Sequence, residues 1–138
     1  MTSTDASGLP GDALWDARLR LIRTHVAAEN ARDIEAVMAT FTRPRYEIVP
    51  TGAVHDGDAK VRAMLQKQWA ELPHLTYAVE GIFHAPDGLA VETRTLMPGG
   101  SPTMLSVNVF RFEGADLVLE RCYFDRQSFA ELVGGRSG

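Results

Sequence analysis

The chain of 138 residues carries a single cysteine, Cys122, so no internal disulfide can staple it and a reducing compartment fits best. It has no excess of positive charge. Fourteen Lys and Arg stand against eighteen Asp and Glu, a formal net charge of -4, which argues against nucleic acid or an anionic membrane surface as partner. No apolar run reaches the roughly 18 residues of a membrane span, and the polar opening "MTSTDASGLPGD" lacks the apolar stretch of a signal peptide. No Cys/His/Asp/Glu spacing has the look of a metal site, and no glycine-rich loop leads from a strand into a helix to cradle phosphate. What survives these exclusions is one soluble, cytoplasmic domain, long enough to bury roughly 68% of its unfolded surface.

At 45% hydrophobic and 23% charged residues, the composition leaves room for an ordinary core. Residues 1–11 read as a disordered arm, 12–133 as the domain and 134–138 as a frayed tail. Trp15, Leu19, Ile22 and Val26 fall at helical spacing and predict one apolar stripe, with His25 one step off it at the boundary. A second stripe, Ile34, Val37, Met38 and Phe41, follows the break "ENARD", with Asn30 or Asp33 as its cap. Pro44 and Pro50 bracket a short strand containing Tyr46 and Ile48. Val61, Met64, Leu65, Trp69 and Leu72 predict a third helix, stopped at Pro73.

After Pro73 the period changes to two. "LTYAVEGIFHA", "GLAVETRTLM", "TMLSVNVFRFEG" and "DLVLERCYFD" read as four strands joined by connectors too short for crossover helices, hence an antiparallel meander. The expectation is an α+β domain, three N-terminal helices packed on a curved sheet. Alternation in the third strand is imperfect. Leu105, Val107 and Val109 share one face, while Phe110 and Phe112 share the other with Ser106 and Asn108. A sheet apolar on both faces needs two covers, so a homodimer is expected.

Three stretches, "AAENARDIEAVMATF", "YEIVPTGAVHDGDAKVRAML" and "VFRFEGADLVLERCYFDRQSFAEL", resemble the nuclear transport factor 2-like superfamily, and within it the SnoaL-like, polyketide cyclase-like branch. The resemblance spans about residues 12–133. It implies a strongly curved sheet forming a cone-shaped barrel around the helices, with one mostly apolar pocket at the open end. Function there depends on the few polar side chains pointing inside.

The chemistries of this superfamily make different demands. Limonene-epoxide-hydrolase-like members need a Tyr and an Asn two apart, an Arg and an Asp two apart, and a second Asp. Here Tyr46 and Arg94 match, but Ile48, Leu96 and Cys122 stand at the other three places, so epoxide hydrolysis is the least favoured alternative. Steroid-isomerase-like chemistry would need a base where Ile48 or Val49 stands. Scytalone-dehydratase-like chemistry would need histidines that the spacing of His55, His74 and His84 does not tie together. SnoaL-type chemistry needs no cofactor, only a late acidic residue, and Asp125 is the candidate. The resemblance thus implies a cofactor-independent lyase, isomerase or cyclase acting on an apolar, oxygenated, polyketide- or terpenoid-like compound. Asp125 or His55 would be the acid/base, with Tyr46 and Arg94 polarising the oxygen. Trp15, Met38, Ile48, Trp69, Leu96, Asn108 and Cys122 are the candidate pocket lining. Each has a plainer reading: Asp125 as a helix cap, Arg94 on a solvated face paired with Glu92 or Glu80, His55 as a turn residue, Cys122 as an inert hydrophobe. The competing class is a non-catalytic binder with a vestigial site.

Overall fold

A computed structural model describes residues 11–100 and 103–135. The arm and tail expected at the two ends lie outside these, except Gly11, Gly134 and Gly135. The order of elements is α1 (Asp12–Ala31), α2 (Ile34–Ala39), β1 (Arg45–Ile48), β2 (Ala53–Asp56), α3 (Asp58–Glu71), β3 (Thr76–Ala85), β4 (Gly88–Leu96), β5 (Thr103–Glu113), β6 (Asp116–Tyr123) and α4 (Arg126–Gly135). The three N-terminal helices and the β3–β6 meander agree with the sequence reading. No helix among the described residues is long and apolar enough to cross a membrane.

The six strands form one sheet in the order β2-β1-β6-β5-β4-β3, so β2 and β3 are edges and the cone is left unclosed. All neighbours are antiparallel except β1 and β6. That parallel pairing joins the first strand to the last, with Tyr46 opposite Glu120 and Ile48 opposite Cys122. The strand β2 was not expected. Its chain reverses at Gly52, whose φ of 74° suits a residue without a Cβ, and whose N–H reaches the Ile48 carbonyl at 2.9 Å. Four residues between a turn and a helix carry too little alternation to be recognised as a strand.

Helix α1 departs from its expected stripe. The buried positions are Arg18, Ile22, His25, Ala28 and Glu29, a line at steps of four, three and four (18, 22, 25, 29) that is mostly polar. Trp15, Leu19 and Val26 are half-buried beside it. The helix also runs through most of "ENARD", stopping at Arg32, which adopts the left-handed conformation at φ 54° and ψ 38°. Asp33, not Asn30, caps α2 by accepting from the Ala36 N–H at 3.1 Å. Asn30 instead clamps β3 through the backbone of Tyr77, at 3.0 and 2.8 Å.

The core is in two parts. The larger joins α1, α2 and α3 to the concave face of the sheet through Ile22, Val37, Val61, Leu65, Val91, Phe110 and Leu117, among others. The smaller gathers Leu72, Leu75, Met104 and Leu132 under α4. Between them the concave face is not filled. At the far end of the sheet, Gly88 in the β3–β4 hairpin lies so close to β5 that an added Cβ would come within 1.9 Å of the Phe110 carbonyl oxygen. Gly88→Ala is therefore expected to lower stability by about 1–3 kcal/mol, the cost of forced overpacking, read as a lower urea midpoint at unchanged slope.

Candidate active site

The unfilled space is a cavity of about 580 Å³, walled by the concave faces of β4, β5 and β6, by β1 and β2, and by α1, α3 and α4. Its size suits a drug-sized organic molecule. Val26, Leu65, Leu72, Leu75, Phe129 and Leu132 make much of it apolar. At one end stands a polar cluster that follows directly from helix and strand geometry.

His25 and Glu29 are one helical turn apart on α1, so both side chains leave the same face toward the sheet. The β1–β6 register delivers Tyr46 and Glu120 side by side, and the β5–β6 register sets Phe110 opposite Glu120 and Asn108 opposite Cys122. Nε2 of His25 lies 2.6 Å from Oε2 of Glu29 and 2.9 Å from Oε1 of Glu120. The phenol of Tyr46 is 3.2 Å from the same nitrogen and 3.3 Å from Oε2 of Glu29. On the other side of the ring, the Thr40 hydroxyl donates to the Val37 carbonyl at 2.6 Å. That leaves it as acceptor for Nδ1–H of His25 at 2.9 Å. Asn108 donates to Oε2 of Glu120 at 2.8 Å.

With Nδ1 committed as a donor, the imidazole faces two carboxyls through one N–H. Burial pulls its pKa down. The charge of Glu29 and the hydrogen bonds to Glu120 and Glu29 more than reverse this and push it up to about 10, so the ring is cationic at neutral pH. Two ionised carboxylates beside one imidazolium would leave a net negative charge in a dry site. Burial, opposed by His25 and reinforced by Glu120, raises the Glu29 pKa, which brings the set toward neutrality. Burial and then the neighbouring carboxylates raise the Tyr46 phenol well above its usual value, so it stays a donor. Cys122 is raised by the same causes and is a neutral thiol, not a nucleophile.

The three donors His25, Glu29 and Glu120 also lie close enough to be considered as metal ligands. A nitrogen 2.6 Å from an oxygen fits a shared proton, since two ligands each about 2.1 Å from one ion stand farther apart.

The residues singled out in the sequence divide between this cavity and other places. Tyr46, His55, Ile48, Asn108 and Cys122 line it, His55 from the β2 position opposite Tyr46. Asp125 does not. It is exposed and caps α4, accepting from the backbone N–H and hydroxyl of Ser128 at 2.9 and 2.8 Å, which hold its carboxyl below its ordinary pKa. Arg94 is on the convex face, its Nε 2.6 Å from Oε2 of Glu80, because it shares the outward parity of Glu92 and Leu96 on β4. Leu96 is accordingly 37% exposed. Trp15 stacks on His84, ring centroids 4.2 Å apart. Met38 and Trp69 pack into the larger core.

His25, Glu29 and Glu120 were not singled out. The available signal was the pairing of His25 with Glu29 on the line 18, 22, 25, 29, and the parity that puts Glu120 on the same face as Cys122.

Helices on the concave face of an open, curved sheet, around an apolar cavity with an acid–base cluster at one end, define a small-ligand pocket protein of the nuclear transport factor 2-like class. The SnoaL-like domain matches residues 22–120, and the chain belongs to that family. Among curated proteins none matches the sequence. Solved structures show the same fold at low identity. The structure of TerC co-crystallised with polyporic acid is 17% identical, with a TM-score of 0.72, over 86% of this chain and 98% of that one. An NTF2-like protein from Burkholderia pseudomallei K96243 is 20% identical, with a TM-score of 0.72, over 85% and 97%. A putative ketosteroid isomerase from Kribbella flavida DSM 17836 is 18% identical, with a TM-score of 0.68, over 80% and 79%.

The titration of the cluster has a definite sign. His25 binds its proton far more tightly folded, at about 10, than at the ordinary 6.5, and Glu29 is shifted in the same direction. The native state therefore holds more protons than the unfolded chain, and stability is lost as pH rises. The melting temperature is expected to fall between about pH 6.5 and pH 10, and His25→Gln should flatten that slope even where it lowers the whole curve.

Proposed function

We propose that this protein is a cofactor-independent acid–base catalyst, a lyase, isomerase or cyclase, acting beside the carbonyl of an apolar oxygenated compound. The observation that carries the reading is the buried His25–Glu29–Glu120 cluster, with Tyr46, at one wall of an apolar cavity. A carboxyl whose pKa is raised is suited to take and return a proton. Glu29 fills that role, since its side chain keeps 10% exposure against 4% for Glu120. In its ionised form it removes the proton from the carbon next to the carbonyl. The C–H electrons move onto oxygen as an enolate, which accepts a hydrogen bond from the Tyr46 phenol. His25 stays cationic as the nearby counter-charge, and Glu120, held by Asn108, fixes the ring. Protonated Glu29 then returns its proton to a different carbon or to a leaving or newly formed alkoxide oxygen, giving isomerisation, elimination or ring closure.

Solvent deuterium incorporation into 2-tetralone, followed by mass spectrometry, tests this without knowing the substrate. The protein is expected to accelerate exchange over buffer, and Glu29→Gln to lose roughly 100-fold or more of that rate. Exchange no faster than in buffer would leave the competing reading, a non-catalytic binder.

We also propose that the functional unit is a homodimer. On the convex face Phe83, Leu105, Val107 and Tyr123 are 59%, 47%, 36% and 41% exposed. The ion pairs Arg94–Glu80 and Arg121–Glu47 add both signs of charge there. An apolar centre with mixed charges is self-complementary under a two-fold axis. Light scattering is expected to give a dimer for the natural chain and a monomer for Val107→Glu. A monomeric natural chain would refute it.

A further inference from the structure

The acid–base cluster occupies only one end of the cavity. Along the sheet wall, the side chains of Asn108 and Ser106 are committed within the protein. Asn108 donates to Glu120. The Ser106 hydroxyl reaches the Thr93 carbonyl and Oδ1 of Asn108, each at 3.3 Å. Thr95 differs in being buried without a partner. Its residue is 1% exposed, it lines the cavity, and its hydroxyl has no hydrogen-bond partner among the described residues. It is flanked in register by Tyr77 on β3 and Met104 on β5. Met104 belongs to the apolar cluster with Leu72, Leu75 and Leu132. A hydroxyl in such surroundings is a standing cost that valine, of the same shape, would avoid.

Thr95 stands opposite Met104, and Asn108 stands four residues farther along β5 opposite Val91, a separation of roughly 13 Å at about 3.3 Å per residue. We propose that Thr95 is a second, distal oxygen-binding point of this cavity. The substrate is then an elongated, rigid, apolar carbonyl compound carrying a hydroxyl or carbonyl at the end remote from the reacting carbon. This rests on the acid–base reading for which end reacts, but the anchor itself does not require turnover. The apolar walls accept the skeleton, and the two polar ends fix its direction and register.

A four-ring ketone with and without a hydroxyl at its far end isolates the point. Binding of testosterone and of androst-4-en-3-one is measured by calorimetry to the natural chain and to Thr95→Val, Thr95→Ser and Glu29→Gln. The natural chain is expected to bind the hydroxylated ketone roughly five- to tenfold more tightly, the worth of one buried hydrogen bond. Thr95→Ser should keep that preference, Thr95→Val should erase it, and Glu29→Gln should leave it intact. Equal affinity for the two ketones, a preference that survives in Thr95→Val, or binding of neither ketone would overturn the proposal. The two readings fail separately. A Thr95-dependent preference without deuterium exchange would sink the acid–base assignment alone, and exchange without the preference would sink the anchor alone.

Discussion

A charge cannot be left uncompensated in a dry interior, and the cavity of this protein is arranged around that constraint. His25 is fully buried, and its ring is held by Thr40 on one side and by two carboxyls on the other. Removing both carboxyls would strand a cation, and removing the ring would set two carboxyls against each other. The partners come from three separated parts of the chain: α1, the segment after α2, and β6. The cluster therefore ties the helical layer to the last strand of the sheet. It also explains why the parallel pairing of β1 with β6 matters. That register sets Tyr46 beside Glu120 and completes the site.

The same sheet has two apolar faces with different fates. On the concave side, side chains of alternate residues on β4 and β5 face the helices and the cavity. On the convex side, the intervening residues Leu105 and Val107 are left substantially exposed. Period-two alternation makes these faces independent, so one carries the ligand site while the other is available for association. Charged residues on the convex side, Arg94 and Arg121 among them, are paired with carboxylates across strands and take no part in the cavity.

Much of the fold was legible in the sequence because it rests on local signals. Period-two runs joined by short Gly- and Pro-containing connectors give hairpins, and helical spacing ended by Pro73 gives α3. The site was less legible. Asp125 and Arg94 drew attention as conspicuous charged residues near a resemblance, yet strand parity turns Arg94 outward, and the start of α4 claims Asp125 as its cap. His25 and Glu29 were passed over because a polar residue on a helix ordinarily faces water. Only a partner supplied by β6 makes their burial affordable.

The sequence by itself determined the three N-terminal helices, the meander and the second apolar sheet face, since these follow from periodicity and turn chemistry; which face of the last strand turns inward it left open. The tertiary structure alone decided which acids meet the histidine. Residues 25, 29, 46 and 120 are brought together by the packing of α1 on the sheet and by a long-range parallel register. The register leaves no mark in local spacing, because the partner that rewards it, Glu120, lies 95 residues from His25 along the chain.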